Sequence, residues 1–214
     1  MFAKFKVLGA AAALTAMTTV VTPAAANTFQ FYGQGPLTDV FSVAPTFISG
    51  ALGVTVRAFD GTGKILALAQ RFDGLGASGG GLDVAEVDSL GSGPAEYLEL
   101  TFNRAVKLDS LSFSLWENGL FGPIDKATLS WGNQSLTLGN NNDHGLLVKT
   151  FAWSGAAAPA GTVFKIASTG NLSAFRLSGI GAVAVPEPTT WLLMGLGLAG
   201  MAFATRRASN RQVG

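Results

Sequence analysis

The chain has 214 residues, with 14 Lys and Arg against 13 Asp and Glu, one histidine and no cysteine. No cysteine means no disulfides and no thiolate metal sites, and a lone His144 does not supply the three or four nitrogen or sulfur ligands that zinc takes. Five of the cations (Lys4, Lys6, Arg206, Arg207, Arg211) lie in the end segments, and between Asn27 and Val185 nine Lys and Arg stand against twelve Asp and Glu. That mildly acidic body has no basic patch, which argues against nucleic acid as a partner.

The opening segment, MFAKFKVLGAAAALTAMTTVVTPAAAN, places Lys4 and Lys6 before an uncharged apolar stretch from Val7 to Val21. Ala24-Ala25-Ala26 follows, then the polar Asn27. A positive start, an apolar middle and small residues at Ala24 and Ala26 predict a signal peptide over residues 1–26, cut by signal peptidase ahead of Asn27. The chain is expected to be exported, and residues 27–184 to form one ectodomain long enough to bury a core.

That body has the period of strands. YLELTFN sets Leu98, Leu100 and Phe102 on one face against Tyr97, Glu99 and Thr101 on the other, and SLSFSLWE sets Leu111, Phe113 and Leu115 against Ser110, Ser112, Ser114 and Trp116. GVTVRAFD, KILALAQRF, KATLSWG, QSLTLG, LLVKTFAW, TVFKIAS and SAFRLSG add seven candidates, separated by Gly, Asn, Asp and Pro clusters. Trp131-Gly132-Asn133-Gln134 predicts a tight hairpin. No segment of the body carries a capped helical period. Some nine or ten short strands imply an all-β fold, a β-sandwich of jelly-roll-like kind.

FDGLGASGGGLDVAEVDSLGSGPAE, Phe72 to Glu96, is rich in glycine and carboxylates and lacks Lys and Arg. It reads as a long loop, and Asp73, Asp83, Glu86 and Asp88 offer oxygens of the kind Ca²⁺ takes, although the spacing is not that of an EF-hand. The alternative is a solvated acidic loop with no cofactor. Gly76-Ala77-Ser78-Gly79-Gly80 satisfies G-x-S-x-G, but that elbow needs a helix after the serine, and three glycines follow it instead. Among the aromatics, Trp116, Trp131 and Trp153, with Tyr32 and Tyr97, could form a carbohydrate platform or pack in the core. At least two are expected in the core, and Trp116, on the outward phase of its strand, is the candidate exposed ring.

At the C-terminal end stands VPEPTTWLLMGLGLAGMAFATRR, followed by seven residues. Its 17 uncharged residues from Thr189 to Thr205 would make about 25 Å of helix, a short membrane span. Val185-Pro186-Glu187-Pro188, the apolar Gly-rich run and Arg206-Arg207 resemble, in that order, the PEP-CTERM sorting signal of Gram-negative bacteria. The resemblance covers residues 185–207 and leaves 208–214 as a cytoplasmic tail. It implies an exosortase as partner, processing near the Pro-Glu-Pro, an inner-membrane intermediate held by one hydrophobic helix, and delivery to the cell surface or extracellular matrix. It also implies association with exopolysaccharide or biofilm. LGVTVRAFDG, EYLELTF, LDSLSFSLWENG and ATLSWGNQSLTL look like the β-rich ectodomains found ahead of this tag, which transfer no catalytic residue. The expectation is a surface or matrix protein that is not an enzyme. The alternative is a carbohydrate-binding module or a glycan-active enzyme, which would have to pair two of Glu86, Glu96, Glu99 and Glu117.

Overall fold

Alternating apolar residues between turn-forming clusters satisfy their backbone groups by pairing strand to strand, and most of the described body does so. The computed structural model describes residues 26–33, 39–41, 44–79, 85–89, 95–117, 125–139, 147–170, 172–186 and 193–202. In chain order its strands are β1 (Asn27–Gln30), β2 (Asp39–Phe41), β3 (Thr46–Ser49), β4 (Leu52–Phe59), β5 (Ile65–Arg71), β6 (Gly74–Ser78) and β7 (Val87–Asp88). They continue as β8 (Tyr97–Trp116), β9 (Ala127–Trp131), β10 (Gln134–Leu138), β11 (Leu147–Ala152), β12 (Ala160–Ser168) and β13 (Ala174–Ala184). The sheet runs β1-β13-β6-β5-β4-β8-β12-β9-β10, with β11 on β8, β2 on β5, β3 on β4 and β7 on β13. A further pairing of β13 with β8 closes it on itself, so the all-β body is a barrel- or sandwich-like sheet.

The closure depends on β8. YLELTFN and SLSFSLWE, expected as neighbouring strands, are two parts of one strand of 20 residues. Its first part lies between β4 and β12, and its second between β13 and β11. In the middle Asn103, Arg104 and Ala105 are exposed in succession, and the β12 ladder steps from Val163–Thr101 to Gly161–Val106. Extra residues in one strand of a ladder bend it and increase its twist, which lets β8 pass from one pair of partner strands to the other. The core fills the space that the closed sheet encloses. Leu98, Leu100, Phe102 and Phe113 all point into it, as their alternation predicts. Phe102 meets Phe29 and Phe164 edge to face, with centroids 6.0 and 5.9 Å apart.

Two expectations are corrected here. Leu115 takes a left-handed backbone (φ +58°) and is the extra residue of a bulge, because Leu147 lies opposite Trp116 and Val148 opposite Ser114. The bulge advances the strand by one residue, and a one-residue advance exchanges the faces. Leu115 is therefore only half-buried. Trp116 turns inward to 1% exposure, against Phe113, Phe151 and Phe175. It cannot serve as an exposed sugar platform.

The glycine-rich stretch is likewise not one long loop, since Gly74–Ser78 is the buried strand β6, paired to β5 and β13. A Cβ on Gly76 would be driven into the carbonyl oxygen of Ala85, so the glycine is there for close backbone approach. The β9–β10 turn matches its prediction: Trp131 pairs with Gln134 across two residues, and Gly132 supplies φ +52°.

Candidate functional site

Strand β13, AFRLSGIGAVA, is lined with small residues and pairs with β1, β6, β7 and β8. Both of its ends carry chemistry. At the far end Ala184 lies opposite Val106, and the Val185 N–H donates to the Ala105 carbonyl at 2.9 Å. Pro186 has no N–H with which to extend the ladder, and it is exposed. The chain is therefore tied to the sheet through Val185 and leaves it at Pro186.

Beside that exit lies β1, antiparallel, with Asn27 opposite Ala182 and Gln30 opposite Gly179. Asn27, the expected first residue after signal cleavage, is the first residue of β1, and Ala26 ahead of it is exposed. The two expected processing points thus leave the body at the same end of neighbouring strands. Ala24, Glu187, Pro188, Arg206 and Arg207 lie outside the described residues. Of the apolar run, residues 193–202 are helical and exposed. Among the described residues no helix is long and apolar enough to cross a membrane, so the expected spanning helix is seen only as this ten-residue piece.

At the other end of β13 sits a buried ionic cluster that sequence reasoning missed. Arg176, its side chain 5% exposed, donates from Nη1 to Asp73 Oδ2 at 2.7 Å, from Nη2 to Glu86 Oε1 at 3.1 Å and from Nε to the Ala85 carbonyl at 3.0 Å. Two of the four residues proposed for Ca²⁺ thus spend oxygens on a guanidinium from 90 or more positions further along the chain. Burial pushes the Glu86 carboxyl above the usual range, against the pull of Arg176 and with help from Asp88 and Asp73. Asp88 itself lies in β7, paired to the start of β13, and Asp83 lies outside the described residues. No group of three or more His, Cys, Asp or Glu among the described residues is arranged to hold a metal ion.

Asp125 is the second missed residue. It is 1% exposed, and its carboxylate accepts the N–H of Glu117 at 2.6 Å and of Ala174 at 2.9 Å, tying the end of β8 to the start of β13. Burial raises its pKa to about 6 against those two hydrogen bonds. Asp125 gives no sign of this in the sequence, because both donors are backbone groups brought in by the fold.

Ser78 closes β6, and His144 lies outside the described residues, so no Ser–His pair is assembled among them. Glu86, Glu96, Glu99 and Glu117 belong to different surroundings: Glu86 is on Arg176, Glu96 accepts the Asp88 N–H, Glu99 faces Lys165, and Glu117 follows β8.

The exit at Pro186 is the site that comparison with known proteins identifies. A family model described as the PEP-CTERM protein-sorting motif matches residues 184–207. The chain carries a PEP-CTERM motif. The match begins at the last residue of β13, so the motif starts where the sheet ends. It supports sorting toward the cell surface through recognition by an exosortase. No curated protein and no solved structure matches the chain, and the β body rests on its own geometry.

Proposed function

We propose that the chain is a non-catalytic protein of the cell surface or extracellular matrix, delivered through its PEP-CTERM motif and associated with exopolysaccharide or biofilm. The observation that carries this reading is the exit of the motif. Among the described residues Val185 is the last of this segment hydrogen-bonded to the sheet, and Pro186, with which the Pro-Glu-Pro begins, is exposed, which supports recognition of the motif without unfolding of the body. In this reading signal peptidase frees Asn27 and the apolar run at 189–205 holds an inner-membrane intermediate. Arg206 and Arg207 keep residues 208–214 on the cytoplasmic side. An exosortase then acts near the Pro-Glu-Pro and releases the jelly-roll-like ectodomain. Glu187→Ala tests it, because the apolar run is untouched: in a host carrying an exosortase the variant should stay full-length in the inner membrane. Identical processing of variant and wild type would reduce the segment to a plain anchor.

A carbohydrate-binding module is the second reading, and one feature favours it. Beside the β9–β10 turn a shelf of about 530 Å³ is lined by half-buried Trp131 with exposed Asn133, Gln134 and Thr162, and no charged residue. An indole edge flanked by amides suits a neutral sugar face. Trp131→Ala should then abolish retention on the host's own polysaccharide, and unchanged retention would remove this reading.

A further inference from the structure

The N-terminal strand of the body has its ladder partner in the last strand to be made. Asn27, Thr28, Phe29 and Gln30 pair in register with Ala182, Gly181, Ile180 and Gly179, and the Phe31 N–H continues the ladder to the Ser178 carbonyl at 3.0 Å. Among the described strands only β13 pairs with β1, so until residues 178–182 have been exported that ladder cannot form. Once they arrive, the seam closes firmly. Phe29 and Phe31 are 3% and 0% exposed, Phe31 stands edge to face on Phe47 at 4.9 Å, and Gln70 Nε2 donates to the carbonyls of Phe31 and Tyr32.

We propose that closing this seam takes the backbone on the leaving side of the Ala26–Asn27 bond into the sheet, so that signal peptidase must cut before β1 docks on β13. The inference rests on the leader reading above. A peptidase has to hold its substrate extended, with the backbone on both sides of the bond free to enter its cleft, and such a cleft commonly binds the chain as an added strand. Asn27, on the leaving side, is already engaged with Ala182, and Thr28 with Gly181. The same residues cannot serve both partners. Cleavage of a closed precursor must wait for β1 to open, and its rate follows the population of that open form. The fold thus sets an order: export of the body through residues 178–182, with the leader removed before β1 closes on β13.

The full-length precursor, purified in detergent and presented to purified signal peptidase, tests this. One portion is folded beforehand and the other is added directly from urea. N-terminal sequencing should find Asn27 in both, with the unfolded portion cut at least 10-fold faster. The double variant Phe29→Ala/Phe31→Ala, in which β1 loses its hold on the core, should be cut when folded nearly as fast as when unfolded. Its circular dichroism would establish that the rest of the body is intact. If the double variant fails to fold, Gln70→Ala, which removes only the clamp on Phe31 and Tyr32, should raise the folded rate by a smaller factor. Equal rates for folded and unfolded wild type would overturn the ordering and leave the leader intact. No cut at Asn27 in the unfolded portion would overturn the leader reading itself, and the ordering with it.

Discussion

Replacing Arg176 by Met removes the cation that pairs directly with Asp73 and Glu86, while keeping a long side chain in the same space. Its hydrogen bonds to Asp73 Oδ2, Glu86 Oε1 and the Ala85 carbonyl go with it. Breaking a buried ion pair by removing one partner costs about 3–5 kcal/mol, because the charge left behind has lost both water and its counter-ion. Here the carboxylate side chains are 12% and 15% exposed, so water returns some of that, and the lower end, about 3 kcal/mol, is expected. In a body of this size that is a drop of about 6–12 °C in melting temperature. Arg176→Lys keeps the charge but not the fork that reaches two carboxylates and a carbonyl, and should lose about half as much. The loss should also depend on pH in a defined sense. Arg176 lowers the Glu86 pKa, so without it the folded-state value rises further above the ordinary one. The penalty of the variant is then full at neutral pH and relieved as pH falls through the carboxylate range. Urea melts of the body from Asn27 to Val185 at pH 7 and pH 4.5 read both quantities. A loss below about 1 kcal/mol at pH 7, or one that grows on acidification, would refute the buried-pair argument.

Asp125 has a folded-state pKa raised to about 6 from 3.8, so the stability it withholds is absent below about pH 4 and fully withheld above about pH 6. Against an Asp125→Asn variant without that titration, the wild type should lose up to about 3 kcal/mol between those limits, and parallel pH profiles would contradict this. Trp116→Ala should cost about 3–5 kcal/mol as a buried ring, whereas an exposed ring would cost almost nothing in the same urea melt. Gly76→Ala should prevent folding at 37 °C by colliding with the Ala85 carbonyl, while Gly132→Ala, with open space around it, should cost only the left-handed backbone, about 1–2 kcal/mol. Because Arg176 already occupies Asp73 and Glu86, Ca²⁺ at about 1 mM should leave the melting temperature of the wild type unchanged; a rise would assign the ion to Asp73, Asp83, Glu86 and Asp88.

Much of the fold was legible because alternation is a local signal. The runs assigned to β4, β5, β9, β10, β11 and β12, and both parts of β8, lie where the period of two puts them. What escaped was set by distant groups. The bulge at Leu115 depends on how β11 meets β8, and it alone reverses the side on which Trp116 lies. Strand β6 resembles a flexible loop because its glycines are selected by distant backbone, Gly76 by that of Ala85 and Glu86 and Gly74 by that of Leu177, which touches them only after folding. The stretch from Phe72 to Glu96 lacks a cation in sequence, yet receives one from Arg176 on β13. At the site the motif itself was readable, since its order of prolines, apolar run and arginines is carried by consecutive residues. Its placement beside β1 was not, since that requires the first and last strands to pair.

The intact mass of the protein recovered from the cell surface or medium tests the central claim most directly, because a single value reports both ends. The account predicts a chain that begins at Asn27 and stops within the Pro-Glu-Pro region, lacking Thr189 to Gly214. A surface form that still carries Thr189 to Arg207 would contradict sorting by cleavage at the motif.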